Sequence, residues 1–302
     1  MDNLNRRAHE IVVSAEIVET YRQEGAALIP GAFSDWVPRL NSAHRRLEER
    51  LAAISTRTAS GLSARIESPG GFPPLSFNES ADGHFGIRNA VFFDHDFQDW
   101  MENSCAASIV GQVTESSFVR FWWDQSFCKR SDATPRGATP WHTDSGSFSF
   151  TGQTLPSLWI AGTEVTENNS PILTVAGSHR DQRWFRPVFG KEDVEVLPAN
   201  YAELDELLEV VARPDTVIRC WPMQAGDCLL IHPHTYHASA EPVRGSGERI
   251  GFTSRWLGDD VVWHPRPMTF SYPDDCRFTN IRPGEPPPDD GFPIVWTADK
   301  KP

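Results

Sequence analysis

Apolar and polar positions recur along this chain with two different periods. In residues 14–24, Ile17, Val18 and Tyr21 share one helical face, Ser14 stands where an N-cap belongs, and Gly25 follows as a stop. Ala26-Ala27-Leu28-Ile29-Pro30 is too short for a helix and reads as a strand. From about Asp35 to Ile54 a second helix is predicted. Trp36, Leu40, Ala43, Leu47, Leu51 and Ile54 return there at steps of three and four, with Arg and Glu between them. This opening pair is expected to be scaffold without a catalytic role. Residues 55–90 show neither period. They are rich in Ser, Gly and Pro, and are expected to be irregular, either part of a lid or substrate wall or a surface loop. Helical spacing returns over residues 95–112, through Phe97, Trp100, Met101, Ile109 and Val110.

Near Phe118 the period falls to two. Val119, Phe121, Trp123, Gln125, Phe127 and Lys129 are predicted to share one strand face. An amide and an ammonium on that aromatic face need partners if buried, and a bound anion would supply one. Further strands are read at residues 158–162, 172–175, 217–221 and 249–256, and after the Gly226-Asp227 turn. Residues 180–215 read as an insertion with a helical patch near 201–211, and the tail from Pro265 as Pro-rich and irregular. Many short strands with turn signals predict a mainly β fold with flanking helices, a double-sheet jelly roll. Residues 1–302 are expected to form one domain. Its parts are a helical scaffold and possible lid (1–112), a jelly-roll core (113–264) and a tail (265–302).

Composition narrows the partners. Lys and Arg number 28 against 41 Asp and Glu, a formal net charge of −13, which argues against nucleic acid or an anionic membrane. The expected partner is a small molecule. Five cysteines, an odd number without C-x-x-C spacing, point to reduced thiols and a cytoplasmic protein. The N-terminal stretch lacks an apolar h-region, and no apolar run approaches the roughly 20 residues that span a bilayer.

The candidate chemistry begins at Pro140-Trp141-His142-Thr143-Asp144. In an extended segment, His142 and Asp144 point to one face and can grip one metal ion. His237, in His232-Pro233-His234-Thr235-Tyr236-His237, is the best third ligand. Two His and one carboxylate leave open positions, the signature of non-haem Fe(II) oxygenases, and room for a bidentate 2-oxo acid and O2. Gly or Ala in place of Asp144 would open a position for halide, so Asp144 favours hydroxylation or a related oxidation. A 2-oxoglutarate cosubstrate carries a distal carboxylate that suits a bidentate Arg. Arg249, across a turn at Gly245-Ser246-Gly247, can supply it if the flanking strands pair. Arg255 shares its face and is a backup, although pairing with Asp259 or Asp260 is the expected role. His232 and His234 form a rival H-x-H, which would suit a jelly-roll hydrolase or isomerase with Zn or Mn that needs no 2-oxoglutarate. A catalytically silent binding module is the third reading. His95, His179 and His264 read as ordinary polar residues.

Taken in order, Trp141-His142-Thr143-Asp144, then Ile172 to Val175 leading to Gly177-Ser178-His179, then Gly226-Asp227, His237-Ala238-Ser239, Arg249 and Arg255 resemble the phytanoyl-CoA dioxygenase family. The resemblance runs from about Ser14 to Trp263. It implies a cupin-like double-stranded β-helix and an Fe(II)- and 2-oxoglutarate-dependent dioxygenase that oxidises, most simply hydroxylates, a C–H bond and releases succinate and CO2. It implies that His142, Asp144 and His237 bind iron and that Arg249 holds the far carboxylate of 2-oxoglutarate. It also implies that Gln125, Trp159 and Ser239 line the cosubstrate pocket. Lys129 falls where the family usually has a Lys, with no contact assigned. Asn169-Ser170 replaces the family's usual Asn-Gly, and Ala176 its usual Pro. The loop 145–150 lacks the bulky Tyr-Trp pair of many relatives, so no relative's substrate carries over.

Overall fold

A computed structural model describes residues 11–58, 61–68, 72–80, 84–130, 138–188, 197–269 and 281–298. The larger of its two main sheets is antiparallel. Its strands run in the order Ala26–Ile29, Cys228–Ile231, Ser157–Ala161, Glu248–Leu257, Phe118–Arg130, His84–Arg88, Leu75–Ser80, Gly61–Ile66 and Thr56–Thr58. The smaller sheet has the order Ile218–Trp221, Ile172–Val175, His237–Ser239, Thr139–His142. Residues from both sheets line one cavity. The fold is a double-stranded β-helix of the cupin type.

The opening helices form as their patterns dictate. Helix Ala15–Glu24 is capped by the Ser14 hydroxyl, which accepts from the Ile17 N–H, and ends where Gly25 takes φ 79°, a left-handed angle open to glycine. Helix Val37–Ala52 buries Leu40, Ala43, Leu47 and Leu51, while Ile54 falls beyond it and is exposed. The expected helix over residues 95–112 is two helices, His95–Asn103 and Ala106–Thr114, broken at Ser104 and Cys105. Phe97, Trp100, Ile109 and Val110 join the helix stripes in one core with Ile160, Leu230, Ile250, Phe252 and Trp256 of the large sheet. The helices thus cover one face of that sheet, and the opposite face lines the cavity. Among the described residues no helix is long and apolar enough to cross a membrane.

Three expectations fail, each for a physical reason. Residues 55–90 are not irregular throughout: four strands extend the large sheet there, held by pairing with their neighbours. Gly70 and Gly71 of the Pro-rich stretch lie outside the described residues. The tail likewise supplies a strand, Ile294–Thr297, paired with the start of Phe118–Arg130. The strict alternation expected along Phe118–Arg130 slips by one residue. Arg255 is opposite Trp123 and Trp256 is opposite Phe121, so Trp122 is the extra residue of a β-bulge. Val119 and Phe121 therefore enter the helix-side core, while Trp123, Gln125, Phe127 and Lys129 face the cavity.

The tail strand leaves one position that discriminates. A Cβ added at Gly111, inside helix Ala106–Thr114, would meet the Trp296 ring at 2.0 Å. Helix propensity alone favours Ala over Gly by about 1 kcal/mol. Overpacking against a ring costs about 1–3 kcal/mol, so Gly111→Ala should lower stability, read as an earlier midpoint in urea unfolding. A later midpoint would mean that Trp296 does not dock there.

Candidate metal centre

The smaller sheet places the two imidazoles. His142 ends strand Thr139–His142 and His237 begins strand His237–Ser239, and they are direct antiparallel partners. Their ring centroids lie 4.1 Å apart. Each ring is fixed by the carbonyl two residues before it. His142 Nδ1 is 2.8 Å from the Pro140 oxygen, and His237 Nδ1 is 2.9 Å from the Thr235 oxygen. A carbonyl only accepts, so each Nδ1 carries the proton and each Nε2 keeps its lone pair for a metal. Burial pushes the His142 imidazole well below its ordinary range, which keeps its ring neutral.

Asp144 completes the cluster, although not by strand alternation. The strand stops at His142 and Asp144 sits at a bend beyond it. Its Oδ1 is 3.9 Å from both Nε2 atoms. Its Oδ2 accepts from the Ser157 hydroxyl at 2.6 Å, and Arg255 Nη2 lies 3.6 Å away. Burial opposes its charge, yet the Arg255 guanidinium and the Ser157 hydroxyl hold its carboxyl below the usual carboxylate range. One ligand atom from each of His142, Asp144 and His237 falls within 4.8 Å of the others. Two neutral nitrogens and one ionised oxygen, each oriented by a second hydrogen bond, fit a divalent iron with open positions.

The cavity beyond them measures about 290 Å³. Arg249 stands at one end, directly opposite Lys129 in the sheet register. It is buried, its Nε and Nη1 have no hydrogen-bond partner among the described residues, and burial lowers its pKa to about 10. Its guanidinium carbon lies 5.2 Å from the Trp159 ring centroid. Gly251 makes this packing possible, because a Cβ there would meet the Trp159 ring at 2.2 Å. Trp159, Gln125 and Ser239 all line the cavity. Lys129 is buried and donates to the hydroxyls of Thr139, Ser170 and Ser239. Ser170, in the place of the family's usual Gly, holds the left-handed angle φ 72° and passes its own proton to the Ala240 carbonyl.

Several sequence expectations need correction. Arg255 does not pair with Asp259 or Asp260, which accept from Ser117 and from Gln153 and Thr154 respectively. It lines the cavity beside Asp144 instead, because even spacing from Arg249 keeps it on the inner face. The strands flanking Gly245-Ser246-Gly247 do not pair; they lie in opposite sheets, and Arg249 reaches the cavity from across it. His232 and His234 are not grouped with His237. They meet Gln153 and Ser145, since the chain crosses between sheets in this stretch. Sequence reasoning also missed Ser157, Ser170 and Arg88. A lone Ser or Arg carries no motif; strand pairing brings Ser157 and Arg88 to the cavity, and the turn before strand Ile172–Val175 brings Ser170 to Lys129.

Solved structures share this architecture. The carbocyclase SnoK from nogalamycin biosynthesis, described as non-haem and α-ketoglutarate dependent, superposes with a TM-score of 0.67 at 18% identity, covering 94% of this chain and 97% of that one. EctD from S. alaskensis, solved with 2-oxoglutarate and 5-hydroxyectoine, gives 0.60 at 16%, covering 93% and 87%. AviO1 from Streptomyces viridochromogenes Tue57 gives 0.56 at 19%, covering 88% and 100%. A comparison with curated protein sequences finds no match. Residues 12–251 match the phytanoyl-CoA dioxygenase family. With that match over most of its length, and with the motif residues gathered at one cavity, the chain belongs to the phytanoyl-CoA dioxygenase family of non-haem Fe(II)/2-oxoglutarate-dependent oxygenases.

Proposed function

We propose that this oxygenase oxidises a C–H bond of a small organic molecule, most simply to an alcohol, releasing succinate and CO2. His142, Asp144 and His237 hold the iron, and Arg249 holds the far carboxylate of 2-oxoglutarate. The observation that carries this reading is the pairing of a tight three-ligand cluster with a buried, unspent guanidinium in one cavity. A rigid dicarboxylate anchor and an open metal face are what a bidentate 2-oxo acid requires.

The oxidising chemistry is supplied by the iron with its cosubstrate and O2; the protein's share is position and shelter. Each imidazole is aimed by its own backbone carbonyl, and Asp144 is aimed by Ser157. Trp159 shields one side of Arg249, which strengthens its attraction for a carboxylate by keeping water away. Lys129 holds the Ser239 hydroxyl oxygen as an acceptor, leaving the Ser239 proton to donate to the bound acid. Trp123 and Phe148 form an apolar wall beside the metal ligands and limit water there. The rival set of His232, His234 and His237 gains no support from this arrangement.

Two measurements test the reading. His142→Ala or Asp144→Ala should abolish succinate formation from 2-oxoglutarate and the visible band that Fe(II) and 2-oxoglutarate give under anaerobic titration; full turnover in either variant would remove the assignment. Arg249→Leu should raise KM for 2-oxoglutarate by about a hundredfold, from losing about 3 kcal/mol of a buried charge pair, with a smaller effect on kcat. Steady-state kinetics with 2-oxoglutarate varied would show it, and an unchanged KM would place the cosubstrate elsewhere.

A further inference from the structure

The turn that follows Asp144 is held from outside as well as from within. From within, the Asp144 carbonyl accepts from the Ser147 and Phe148 amides, at 3.0 and 3.2 Å, and from the Ser147 hydroxyl at 3.0 Å. The carbonyls of Ser145, Gly146 and Phe148 find their partners elsewhere in the chain. Arg266 serves two of them: its Nη2 donates to the Ser145 oxygen at 2.7 Å and to the Phe148 oxygen at 2.8 Å. The Tyr201 hydroxyl serves the third, donating to the Gly146 oxygen at 2.9 Å. The turn also packs closely on this side, since a Cβ added at Gly146 would meet the Phe185 carbonyl oxygen at 2.2 Å.

Arg266 is built for this place. Its Nε donates to the Tyr201 oxygen and its Nη1 to the His264 carbonyl, each at 3.2 Å, so one guanidinium joins the tail, the insertion and the turn. It is 7% exposed, and its guanidinium carbon lies 4.0 Å from the centre of the Trp184 ring. Among the described residues its hydrogen-bond partners are a phenol and three carbonyls, all neutral. A buried cation in such company is unfavourable unless its donors are used in full. A lysine could not copy the arrangement, because three nitrogens in a fixed plane reach four acceptors at once. Pro265 and Pro267 flank the residue and restrict the backbone on both sides of it. Arg266 lies beyond residues 12–251, the part of the chain that matches the family.

Resting on the reading of Asp144 as an iron ligand, we infer that Arg266 is a positioning residue for the metal centre. It closes the turn from Ser145 to Phe148 and so fixes the backbone that carries the Asp144 carboxylate. Ser157 aims the carboxylate itself; Arg266 holds the support on which it stands. Ser147 and Phe148 of the turn line the cavity, whereas Arg266 is not among the described residues that do, so it acts through the turn and not on a bound molecule. With the turn loosened, the carboxylate would no longer be kept within reach of both imidazoles, and the metal would be held less firmly.

The test measures Fe(II) binding to the metal-free enzyme by anaerobic calorimetry, then the visible band on adding 2-oxoglutarate. If the unsubstituted enzyme gives no band, the iron reading itself falls. Arg266→Met keeps length and contact with Trp184 but removes every donor. It should weaken Fe(II) binding by about 10–100-fold, the usual effect of losing a group that orients a metal ligand. Binding of 2-oxoglutarate at saturating Fe(II) should stay unchanged, because Arg249 is untouched. Arg266→Lys should recover part of the lost affinity. Tyr201→Phe removes a single hydroxyl and should weaken Fe(II) binding several-fold; it decides the matter if Arg266→Met does not fold. Gly111→Ala, which loosens a remote helix, should lower stability without lowering Fe(II) affinity. Unchanged Fe(II) affinity in a folded Arg266→Met, or in Tyr201→Phe where Arg266→Met does not fold, would overturn the inference. So would an equal loss of affinity in Gly111→Ala.

Discussion

The pairing of His142 with His237 across the smaller sheet is the constraint on which the rest of the site is built. The two residues are neighbours because their strands are antiparallel and in register at that point. Each ring is then turned the same way by the same local device, a carbonyl two residues earlier in the chain. A ladder of backbone hydrogen bonds sets the separation and two short side-chain bonds set the angle. Nothing long or flexible intervenes. Asp144 needs a third fixture because it has left the strand, and Ser157 of the other sheet provides it. Such oriented ligands lose little freedom when an ion arrives.

The two sheets divide the work. The smaller one carries the imidazoles, and the larger one carries the guanidinium groups, the indoles and the amide of Gln125. The larger sheet can spare one face for this because the helices seal the other with apolar contacts. Placing buried cations there is costly in itself. Arg249 is eased by the face of Trp159, and Lys129 by three hydroxyls, neither of which neutralises charge. The indole face leaves Arg249 able to meet an anion. The strained backbone at Ser170 belongs to the same design, since its hydroxyl is one of the three.

Much of this was legible in the residues alone. His142, Asp144, His237 and Arg249 stand at spacings that few other chemistries would require, and the structure brings all four to one cavity. The first two helices were equally plain, because caps and stripes are local signals. What stayed hidden was non-local. Strands Leu75–Ser80 and His84–Arg88 lie in a stretch whose Gly, Ser and Pro mask the alternation, and they hold together through pairing with a neighbour. The bulge at Trp122 could not be read, because two adjacent tryptophans fit either face until the partner strand decides. Arg255 was misplaced because nearby acidic residues made a sufficient explanation, whereas its strand face already pointed inward. Ser157 carries no pattern of its own.

The split between sheets has a mechanical side. Asp144 and the imidazoles sit on one wall and Arg249 on the other, so a molecule that touches both must bridge the gap. Binding it adds to the ties between the layers that Lys129 makes to Thr139 and Ser239 and that Ser157 makes to Asp144. A filled barrel is cross-braced from within. The same small acid that feeds the reaction thus acts as a rivet, and the protein is stiffest when it is ready to work.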